Sequence, residues 1–263
     1  MSKKSMQQVQ AQDRGRIVKI NSDFYEKLWS QTKLYGPENF NTQEVLAPLC
    51  GNAPRRLEVG PGLRPRLPID GTVFLDLSEV ACEKLNAAGG RAQKGSIESL
   101  DFPPASFDLI CIFDVIEHIA DDRAVFAQLE NLLADGGTLM FSVPLHEHAW
   151  TDFDTLVGHF RRYDPDDLNR ICDEHNFDVE KSGVYGMQPK SRFLSRLGAW
   201  YLRKHYDFAM RYYNRYFFPL GLKRQKKLVF EDGLSNDPTI DEVLVICKRR
   251  AREGSGVRDQ VAG

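Results

Sequence analysis

Strand-like apolar segments alternate with helical segments from Arg56 onward, and this alternation leaves few folds open to the chain. Parallel strands need long crossover connections, so strands separated by helices predict a mostly parallel sheet with helices on both faces. Continuous apolar runs such as LICIF, residues 109–113, are typical of strands that are buried on both faces. Seven strands are predicted, in chain order RLEVG, TVFLDL, RAQKG, DLICIFD, GTLMFSVP, FDVEKSGVY and DEVLVICKR.

Length and composition favour an intracellular globular chain. The 263 residues, 42% of them hydrophobic, suffice for one α/β domain with additions. Five scattered cysteines without a C-x-x-C pair favour reduced thiols over disulfides or a zinc site. The polar N-terminus has no apolar stretch, so we expect no secretion signal, and no uncharged apolar run approaches the ~20 residues of a membrane span. We therefore expect a cytoplasmic protein without a transmembrane segment.

The first predicted strand runs into a turn with two glycines, Gly60 and Gly62, in the segment RRLEVGPGLRPRLP. Glycines let a backbone approach a ligand where a Cβ atom would collide. The third glycine of the fingerprint G-x-G-x-x-G is missing, and Pro65 and Pro68 shorten any helix that follows, which disfavours a pyrophosphate site. Asp76 ends the second strand, where a carboxylate accepts ribose hydroxyls. The turn therefore favours a ligand with a ribose but no pyrophosphate.

Three further segments follow in order: GSIESLDFP from Gly95, FDVIEHI from Phe113 and LLADGGTLMFSVP from Leu132. With EVGPG and the acid after strand two, they make residues 56–185 resemble the class I S-adenosylmethionine-dependent methyltransferases, of the type 11/12-like kind. The resemblance implies a Rossmann-like, doubly wound α/β fold with a seven-stranded mixed sheet whose last strand is antiparallel. It also implies S-adenosylmethionine as the cofactor.

The resemblance assigns the cofactor-binding residues one by one. The glycine turn is expected to contact the amino-acid portion of the cofactor, and Asp76 corresponds to the ribose-binding acid. The segment after the third strand usually begins Gly-Asp; Ser96 stands in place of that acid, so the adenine contact would rest on the Ser96 hydroxyl and the Ile97 amide. Phe113 and Asp114 would line the methionine side. The expected cofactor residues are Glu58, Gly60, Gly62, Asp76, Leu77, Ser96, Ile97, Phe113 and Asp114.

The long loop after the fifth strand, LHEHAWTDFDTLVGHFRRYDP, is the candidate for catalysis because it leaves the carboxyl end of the sheet. Its GHFRRY segment resembles one found after strand five in a subset of these methyltransferases. A hydroxyl acceptor generally needs a base, and His159 is the candidate; the alternative is a histidine that only anchors the loop. The predicted catalytic residues are His159, Arg162, Tyr163 and His148.

No metal is predicted. His146-Glu147-His148 places two histidines at alternate loop positions without further ligands. Glu117-His118 resembles a pair in ubiquinone-type O-methyltransferases, some of which use a metal. A Glu117 that braces the start of a helix is the interpretation we adopt instead.

Two acceptor classes are disfavoured by missing segments. Enzymes that methylate exocyclic amines of bases, or glutamine, resemble one another in an N/D-P-P-Y/F segment, where this chain has Asp114-Val115-Ile116. A cytosine-C5 enzyme would use a Pro-Cys nucleophile, and the chain has no Pro-Cys pair. We therefore expect a small-molecule, glycan or lipid-type acceptor, methylated at oxygen. The alternatives are a catalytically silent S-adenosylmethionine-binding regulatory or assembly protein and an RNA methyltransferase; a dehydrogenase would need the missing third glycine.

Residues 190–228 differ from the rest of the chain because they carry eleven basic residues and one acidic residue. Leu194, Leu197 and the aromatic residues after them recur every three or four positions, which indicates one helical face. Three interpretations stay open: a helix packed on the domain with solvated basic residues, a surface for an anionic glycan or lipid head group, and an RNA surface. Nucleic acid is the least favoured, and the second interpretation allows peripheral membrane contact.

These patterns divide the chain into six parts. They are a frayed N-terminus (1–21), an N-terminal helical lid (22–50), the cofactor-binding core (51–188), a basic aromatic helical cap inserted before the last strand (189–236), the last strand (237–250) and a disordered tail (251–263). Because the last strand of this family lies antiparallel beside the sixth, the insertion would start and end at the cofactor edge of the sheet and could cap the acceptor pocket.

Overall fold

One mixed sheet forms the centre of the protein in the computed structural model, which describes residues 3–186, 198 and 200–251. The strands of these residues are β1 (Arg56–Val59), β2 (Thr72–Asp76), β3 (Arg91–Lys94), β4 (Phe107–Phe113), β5 (Leu133–Pro144), β6 (Phe177–Val184), β7 (Phe230–Asp232) and β8 (Glu242–Arg249). Their order across the sheet is β3-β2-β1-β4-β5-β8-β6-β7. Strands β1 to β5 pair in parallel, and β8 lies antiparallel between β5 and β6.

All seven predicted strands are present, and the doubly wound sheet with an antiparallel last strand is confirmed. The strand count is larger by one. The additional strand, β7, lies inside the predicted insertion and pairs with β6 through three residue pairs at the edge of the sheet. A three-residue strand is too short to leave an alternating pattern in the sequence, which is why the pattern does not predict it.

Helices cover both faces of the sheet. In the described part of the chain they are α1 (Lys3–Ser30), α2 (Gln43–Asn52), α3 (Glu79–Ala87), α4 (Asp122–Leu132), α5 (Asp152–Val157), α6 (Pro165–Glu174), α7 (Tyr206–Tyr212) and α8 (Phe218–Lys223). A π-helical segment, Tyr213–Phe217, joins α7 to α8. Ser78 and Asp121 cap α3 and α4 by accepting the amides of Ala81 and Ala124, as helix-starting residues commonly do.

The core alternates along β4, as a strand buried on both faces requires. Ile110 and Ile112 pack with α4 and α6 on one face. Leu109 and Cys111 pack with Leu46 of α2 on the other face. The helix α2 therefore belongs to the sheet layer, although the sequence pattern groups it with the lid.

Helix α1 crosses the carboxyl edge of the sheet together with α7. Phe24, Leu28 and Trp29 of α1 form a cluster with Leu63, after the glycine turn, and Met210 of α7. α1 begins at Lys3, within the segment 1–21 for which the sequence predicts a frayed N-terminus, and that division of the chain stays a prediction. A helix that is anchored by tertiary contacts extends outward at little cost per residue, even through a polar sequence.

Four predicted segments lie partly outside the described residues, which leave out residues 1–2 of the N-terminal segment and 187–188 of the core. Of the insertion 189–236, the structure describes residue 198 and residues from 200 onward, and of the tail 251–263 it describes residue 251. Within the part of the chain that is described, no helix is both long and apolar enough to cross a bilayer.

Candidate active site

A cleft of about 1510 Å³ opens at the carboxyl edge of the sheet, beneath α1 and α7. Its floor comes from the turn after β1, the end of β4 and the first residue of β8, and its roof comes from α1 and the insertion. The floor residues include Glu58, Gly60, Pro61, Arg64, Arg66, Phe113, Asp114 and Glu242. In doubly wound sheets this edge is the place where ligands bind.

The glycine turn has a backbone that other residues would not adopt without strain. Gly60 and Gly62 have φ angles of +67° and +54°, in the left-handed region. A Cβ atom on Gly60 would lie 2.3 Å from Val115 Cγ2, and one on Gly62 would lie 2.1 Å from Trp29 Cζ2. Both positions therefore require glycine, for the conformation and for the space.

Asp76, at the end of β2, connects this turn to the start of α3. Its Oδ2 accepts the amide of Gly62 at 2.8 Å, and its Oδ1 accepts the amide of Ser78 at 2.8 Å. Burial raises the pKa of the Asp76 carboxyl to about 6, although these amides lower it in part. Each oxygen keeps a lone pair for a further donor, so the carboxylate can still accept ribose hydroxyls.

Glu58 holds the return of the same loop. Its two carboxylate oxygens accept the amide of Arg66, at 2.8 and 3.1 Å, and Oε2 also accepts the amide of Leu67 at 2.8 Å. Burial raises the pKa of the Glu58 carboxyl to about 7. Pro65 and Pro68 flank the two donors and have no amide hydrogen of their own. The backbone after the glycine turn is thus held by hydrogen bonds to Glu58, and no long helix follows the turn.

Arg64 is a site residue that the sequence analysis does not predict. Its guanidinium carbon lies 3.5 Å from the ring centre of Phe218, 5.3 Å from that of Trp29 and 5.7 Å from that of Tyr213. Its buried Nε and Nη2 have no hydrogen-bond partner among the described residues, and burial lowers its pKa. A cation with unused donors thus faces the cleft. Two arginines directly after a glycine turn are the signal that could have identified it.

Arg66 lines the same part of the cleft, but its donors are occupied. Its guanidinium stacks on Phe40 at 3.6 Å, and Nε and Nη2 donate to the Tyr185 hydroxyl at 3.3 and 3.2 Å. Nη1 donates to the Arg64 carbonyl at 2.6 Å. Arg66 therefore stabilises the loop, and of the two arginines only Arg64 offers free donors to a ligand in the structure as described.

Two acids meet on the floor of the cleft, at the ends of β4 and β8. Asp114 has a φ angle of +54°, and its Oδ1 accepts the Ser142 hydroxyl at 2.6 Å. Glu242 hydrogen-bonds to the Asp114 carboxyl, and its pKa is raised well above the usual value by burial first and by the charge of Asp114 second. Glu242 Oε1 is buried without a hydrogen-bond partner among the described residues. Burial and the neighbouring negative charge thus both disfavour the ionised form of the Glu242 carboxyl.

A third acid, Glu117, lies behind them. Burial, followed by the charge of Asp114, raises its pKa well above the usual value, and its Oε2 has no hydrogen-bond partner in the described part of the chain. Glu117 Oε1 lies 3.9 Å from His159 Nε2. Burial lowers the pKa of the neighbouring His118 to about 3, so this ring is neutral. His118 contacts the Tyr25 hydroxyl, on the cleft wall, at 3.3 Å.

The described residues contain one group that could hold a metal ion. Glu117, His118 and His159 each offer one ligand atom, and these atoms lie within 4.8 Å of one another. The prediction that the protein needs no metal is not tested by this arrangement and stays a prediction.

The loop after β5 is organised by one buried carboxylate, Asp154. It accepts His159 Nδ1 at 2.8 Å, Arg162 Nε at 2.9 Å and the Thr151 hydroxyl at 2.6 Å. Burial alone would raise the pKa of Asp154, but the hydrogen bonds from His159 and Arg162 outweigh the effect of burial and lower this pKa. Since Nδ1 of His159 hydrogen-bonds to Asp154, Nε2 is the ring nitrogen that faces Glu117.

The four predicted catalytic residues do not come together at the cleft. Among the described residues that line it, His159, Arg162, Tyr163 and His148 are absent. Arg162 is buried against Asp154, the Tyr163 hydroxyl donates to Asp122 at 3.0 Å, and His148 is exposed. His159 is the one of the four that faces the acids behind the cleft floor. Its role as a base stays a prediction.

The nine predicted cofactor residues fall into three groups. Glu58, Gly60, Phe113 and Asp114 line the cleft, and Gly62 and Asp76 form the adjoining turn. The other three follow β2 and β3: Leu77 is exposed, the Ile97 side chain is in the core, and the Ser96 hydroxyl accepts the Glu98 amide at 3.2 Å. Ser96 therefore caps a short turn, and an adenine contact there would depend on the Ile97 amide.

Comparisons with known proteins agree with this geometry. A family model described as a methyltransferase domain matches residues 41–182. A probable S-adenosylmethionine-dependent methyltransferase of Mycolicibacterium smegmatis is 27% identical over 118 residues, which are 43% of this chain and 46% of that protein. The chain thus spans about half the length of this relative.

Two solved structures share the fold. An S-adenosylmethionine-dependent methyltransferase of Thermotoga maritima, described as a possible histamine N-methyltransferase, superposes with a TM-score of 0.52, at 12% identity over 89% of this chain and 91% of that one. Phosphoethanolamine N-methyltransferase 2 of Haemonchus contortus, solved with phosphomonomethylethanolamine and S-adenosylhomocysteine, superposes with a TM-score of 0.50, at 17% identity over 79% of this chain and 53% of that one. Since the family model covers more than half of the chain, the resemblance to methyltransferases is confirmed: this protein belongs to the methyltransferase-domain family.

Proposed function

We propose that this methyltransferase methylates a hydroxyl oxygen of a largely apolar acceptor, such as a lipid-type molecule or an apolar small molecule. The observation that carries the proposal is the carboxyl pair of Asp114 and Glu242 on the floor of a cleft with aromatic and aliphatic walls. A glycan would need many hydrogen-bonding groups along these walls. Phe24, Leu28 and Met210 offer none with their side chains.

The residues at one end of the cleft fit S-adenosylmethionine. The free donors of Arg64 suit the carboxylate of its amino-acid portion, and the carboxylate of Asp76 suits the ribose hydroxyls. The left-handed glycines bring the backbone of the turn close to the ligand. When bound, S-adenosylmethionine supplies an activated methyl group. Leu77, Ser96 and Ile97 keep their proposed places beside the nucleoside.

The carboxyl pair would take the proton that the acceptor loses. An ionised oxygen of the pair would accept the hydrogen of the acceptor hydroxyl and keep that proton. The oxygen–carbon bond would form as the methyl–sulfur bond of the donor breaks, with its electron pair left on sulfur. A base works best when its pKa is near the working pH, and burial moves Glu242 in that direction. The hydrogen bond from Ser142 fixes the orientation of Asp114.

We propose that His159 acts behind this pair and not against the acceptor. The contacts among Asp154, Arg162 and His159 fix the ring so that Nε2 faces Glu117. Nε2 of His159 could then accept a proton from the buried acids. Arg162 and Tyr163 are positioning residues in this proposal, because their polar atoms are bound to other side chains of the same fold. No role in the chemistry is proposed for the exposed His148.

An amine acceptor is the second candidate. Asp114 and Glu242 place two carboxyls at the acceptor end, with Glu117 behind them, and a cationic amine would favour the ionised forms of carboxyls beside it. An ammonium group must lose its proton before it can accept a methyl group, so the same pair would serve as the base.

The test is a search for the labelled product. The protein is incubated with methyl-labelled S-adenosylmethionine and with separate lipid, small-molecule, glycan and RNA fractions of cells. We expect label in an apolar product that a cation exchanger does not retain, and loss of transfer in Glu242→Gln with S-adenosylmethionine binding intact. Label in a retained cation would support the amine. Label in RNA, or cofactor binding without any transfer, would overturn the proposal in favour of an RNA enzyme or a regulatory protein.

A further inference from the structure

The insertion before β7 exposes a row of aromatic side chains. The row consists of Tyr201, Phe208, Tyr212, Tyr216 and Phe217, all exposed to solvent. Neighbouring rings touch: the centroids of Tyr201 and Phe208 are 6.4 Å apart, those of Phe208 and Tyr212 are 6.1 Å apart, and those of Tyr212 and Tyr216 are 4.8 Å apart. The aromatic row is therefore one continuous surface.

The same helix buries small and flexible residues instead. Ala209 and Met210 face the core, while Phe208 of the same turn is 55% exposed. The predicted aromatic face at Tyr201, Phe208, Tyr212 and Tyr216 is thus exposed, and the helix packs on the domain through other residues such as Met210. The predicted members of that face at Leu194 and Leu197 lie outside the described residues.

Two aliphatic side chains of the same insertion are also exposed. Leu220 of α8 is exposed, and Val229, next to β7, is 78% exposed. Exposed aromatic rings that contact one another mark an interaction site more often than scattered apolar side chains do.

Basic side chains surround this apolar surface. Between residues 200 and 229 the chain has eight arginines and lysines and one acidic residue. All eight are exposed; they are Arg203, Lys204, Arg211, Arg215, Lys223, Arg224, Lys226 and Lys227. A groove of about 680 Å³ lies beside the aromatic row and is lined by Lys33, Arg211 and Arg215 with Tyr212 and Tyr216. The partner of this face must therefore be both apolar and anionic.

We propose that this face docks on the surface of an anionic lipid bilayer. Aromatic rings are suited to the depth of the lipid head groups, and basic side chains around them are attracted by the negative surface potential. Three basic side chains around one groove suit the phosphate of a head group. RNA is the weaker match, because exposed aliphatic side chains such as Leu220 and Val229 add nothing to base stacking.

The docking face is continuous with the active-site cleft. Tyr201, Phe208, Tyr212, Phe217 and Val229 are exposed and also line the cleft. Docking would place the mouth of the cleft against the bilayer, so an apolar acceptor could enter without crossing water. The docking surface goes beyond the proposed function, and its test does not require the acceptor to be known.

The test is co-sedimentation of the whole protein with two kinds of vesicle. One kind is an equimolar mixture of phosphatidylcholine and phosphatidylglycerol, and the other is phosphatidylcholine alone. We expect binding to the anionic vesicles, weaker binding as salt rises, and little binding to the neutral ones. Arg211→Gln with Arg215→Gln should bind anionic vesicles roughly 25-fold more weakly, at about fivefold per basic residue.

Matched variants separate the charge from the apolar contact. Arg91→Gln with Arg170→Gln removes two exposed arginines outside this face and should bind as the unchanged protein does. Tyr216→Ser with Leu220→Ser keeps every charge and should also weaken binding, because both side chains would enter the head-group layer. None of these six residues lines the cleft, so the affinity for S-adenosylmethionine should stay constant and report intact folding.

Three outcomes would overturn the docking surface. They are no binding of the unchanged protein to anionic vesicles, unaltered binding of the Arg211 and Arg215 variant, or binding to single-stranded RNA without binding to vesicles. Failure of the proposed function looks different, because a protein that binds vesicles and transfers no methyl group contradicts the acceptor chemistry and leaves the docking surface standing.

Discussion

Replacement of Arg64 by methionine should weaken S-adenosylmethionine binding without loss of stability. Methionine keeps an unbranched apolar side chain beside Trp29, Tyr213 and Phe218 and removes the charge and all donors. A hydrogen bond to a charged partner contributes about 1.5–3 kcal/mol. If Arg64 holds the cofactor carboxylate, the affinity should therefore fall by about 10-fold to 150-fold.

The folding stability of this variant should change little, because two effects oppose each other. The variant loses cation–π contacts of roughly 0.5–2 kcal/mol. It also relieves a buried cation whose Nε and Nη2 lack partners among the described residues, a burden of about 1–3 kcal/mol. A loss of affinity at a nearly constant melting temperature is thus the signature of a ligand-binding arginine.

Calorimetry with two ligands separates a carboxylate contact from a general effect on the cleft. S-adenosylmethionine carries the amino-acid portion, and 5′-methylthioadenosine lacks it. Arg64→Met should lose affinity for the first ligand and keep its affinity for the second. Arg91→Met, exposed on β3, is the matched control and should bind both ligands normally. Unchanged affinity for S-adenosylmethionine, or an equal loss for both ligands, would refute the reasoning; the equal loss would mean that Arg64 only holds the roof of the cleft.

Four further predictions concern the titration of Asp76, the loop after β5 and metal. S-adenosylmethionine affinity should fall as the pH falls through about 6, because the ionised Asp76 accepts ribose hydroxyls. Asp76→Asn should bind S-adenosylmethionine weakly, and its affinity should depend less on pH. If the pH profile of Asp76→Asn is the same as that of the unchanged protein, Asp76 does not belong to the site. The pKa of Asp76 is raised in the folded state, so the free energy of unfolding should fall as the pH rises from 3.8 to about 6. Above that range the effect of Asp76 should be constant. Denaturant titrations of the protein and of Asp76→Asn at several pH values measure this difference. Once an acceptor is known, His159→Ala should lower kcat about 100-fold and alter its pH profile while cofactor affinity stays constant; normal turnover would make His159 a loop anchor. Dialysis against a chelator should leave activity intact, and loss that is restored by a divalent ion would assign a metal to Glu117, His118 and His159.

The sequence by itself determined most of the sheet and the glycine turn at its carboxyl edge. Seven strands and the turn at Gly60 and Gly62 follow from patterns within a few residues, and the antiparallel last strand follows from the family resemblance. Local backbone geometry determines strand alternation, turn glycines and the acid at a strand end. These features can therefore be predicted without knowledge of the packing. For the same reason β7, with three residues, could not be read from the sequence.

The tertiary structure alone decided what surrounds the cofactor. Asp114 and Glu242 lie far apart in the chain and meet because β8 enters the sheet beside β5. The position of His159 and Arg162 after β5 predicts that they line the cleft. Instead, both side chains are buried in hydrogen bonds to Asp154. Whether an aromatic side chain of an amphipathic helix is buried depends on which face of the helix packs against a neighbouring element. In α7, Met210 packs against α1 and Phe208 is exposed to solvent. Such pairings depend on the free energy of packing between distant segments, which no local pattern contains.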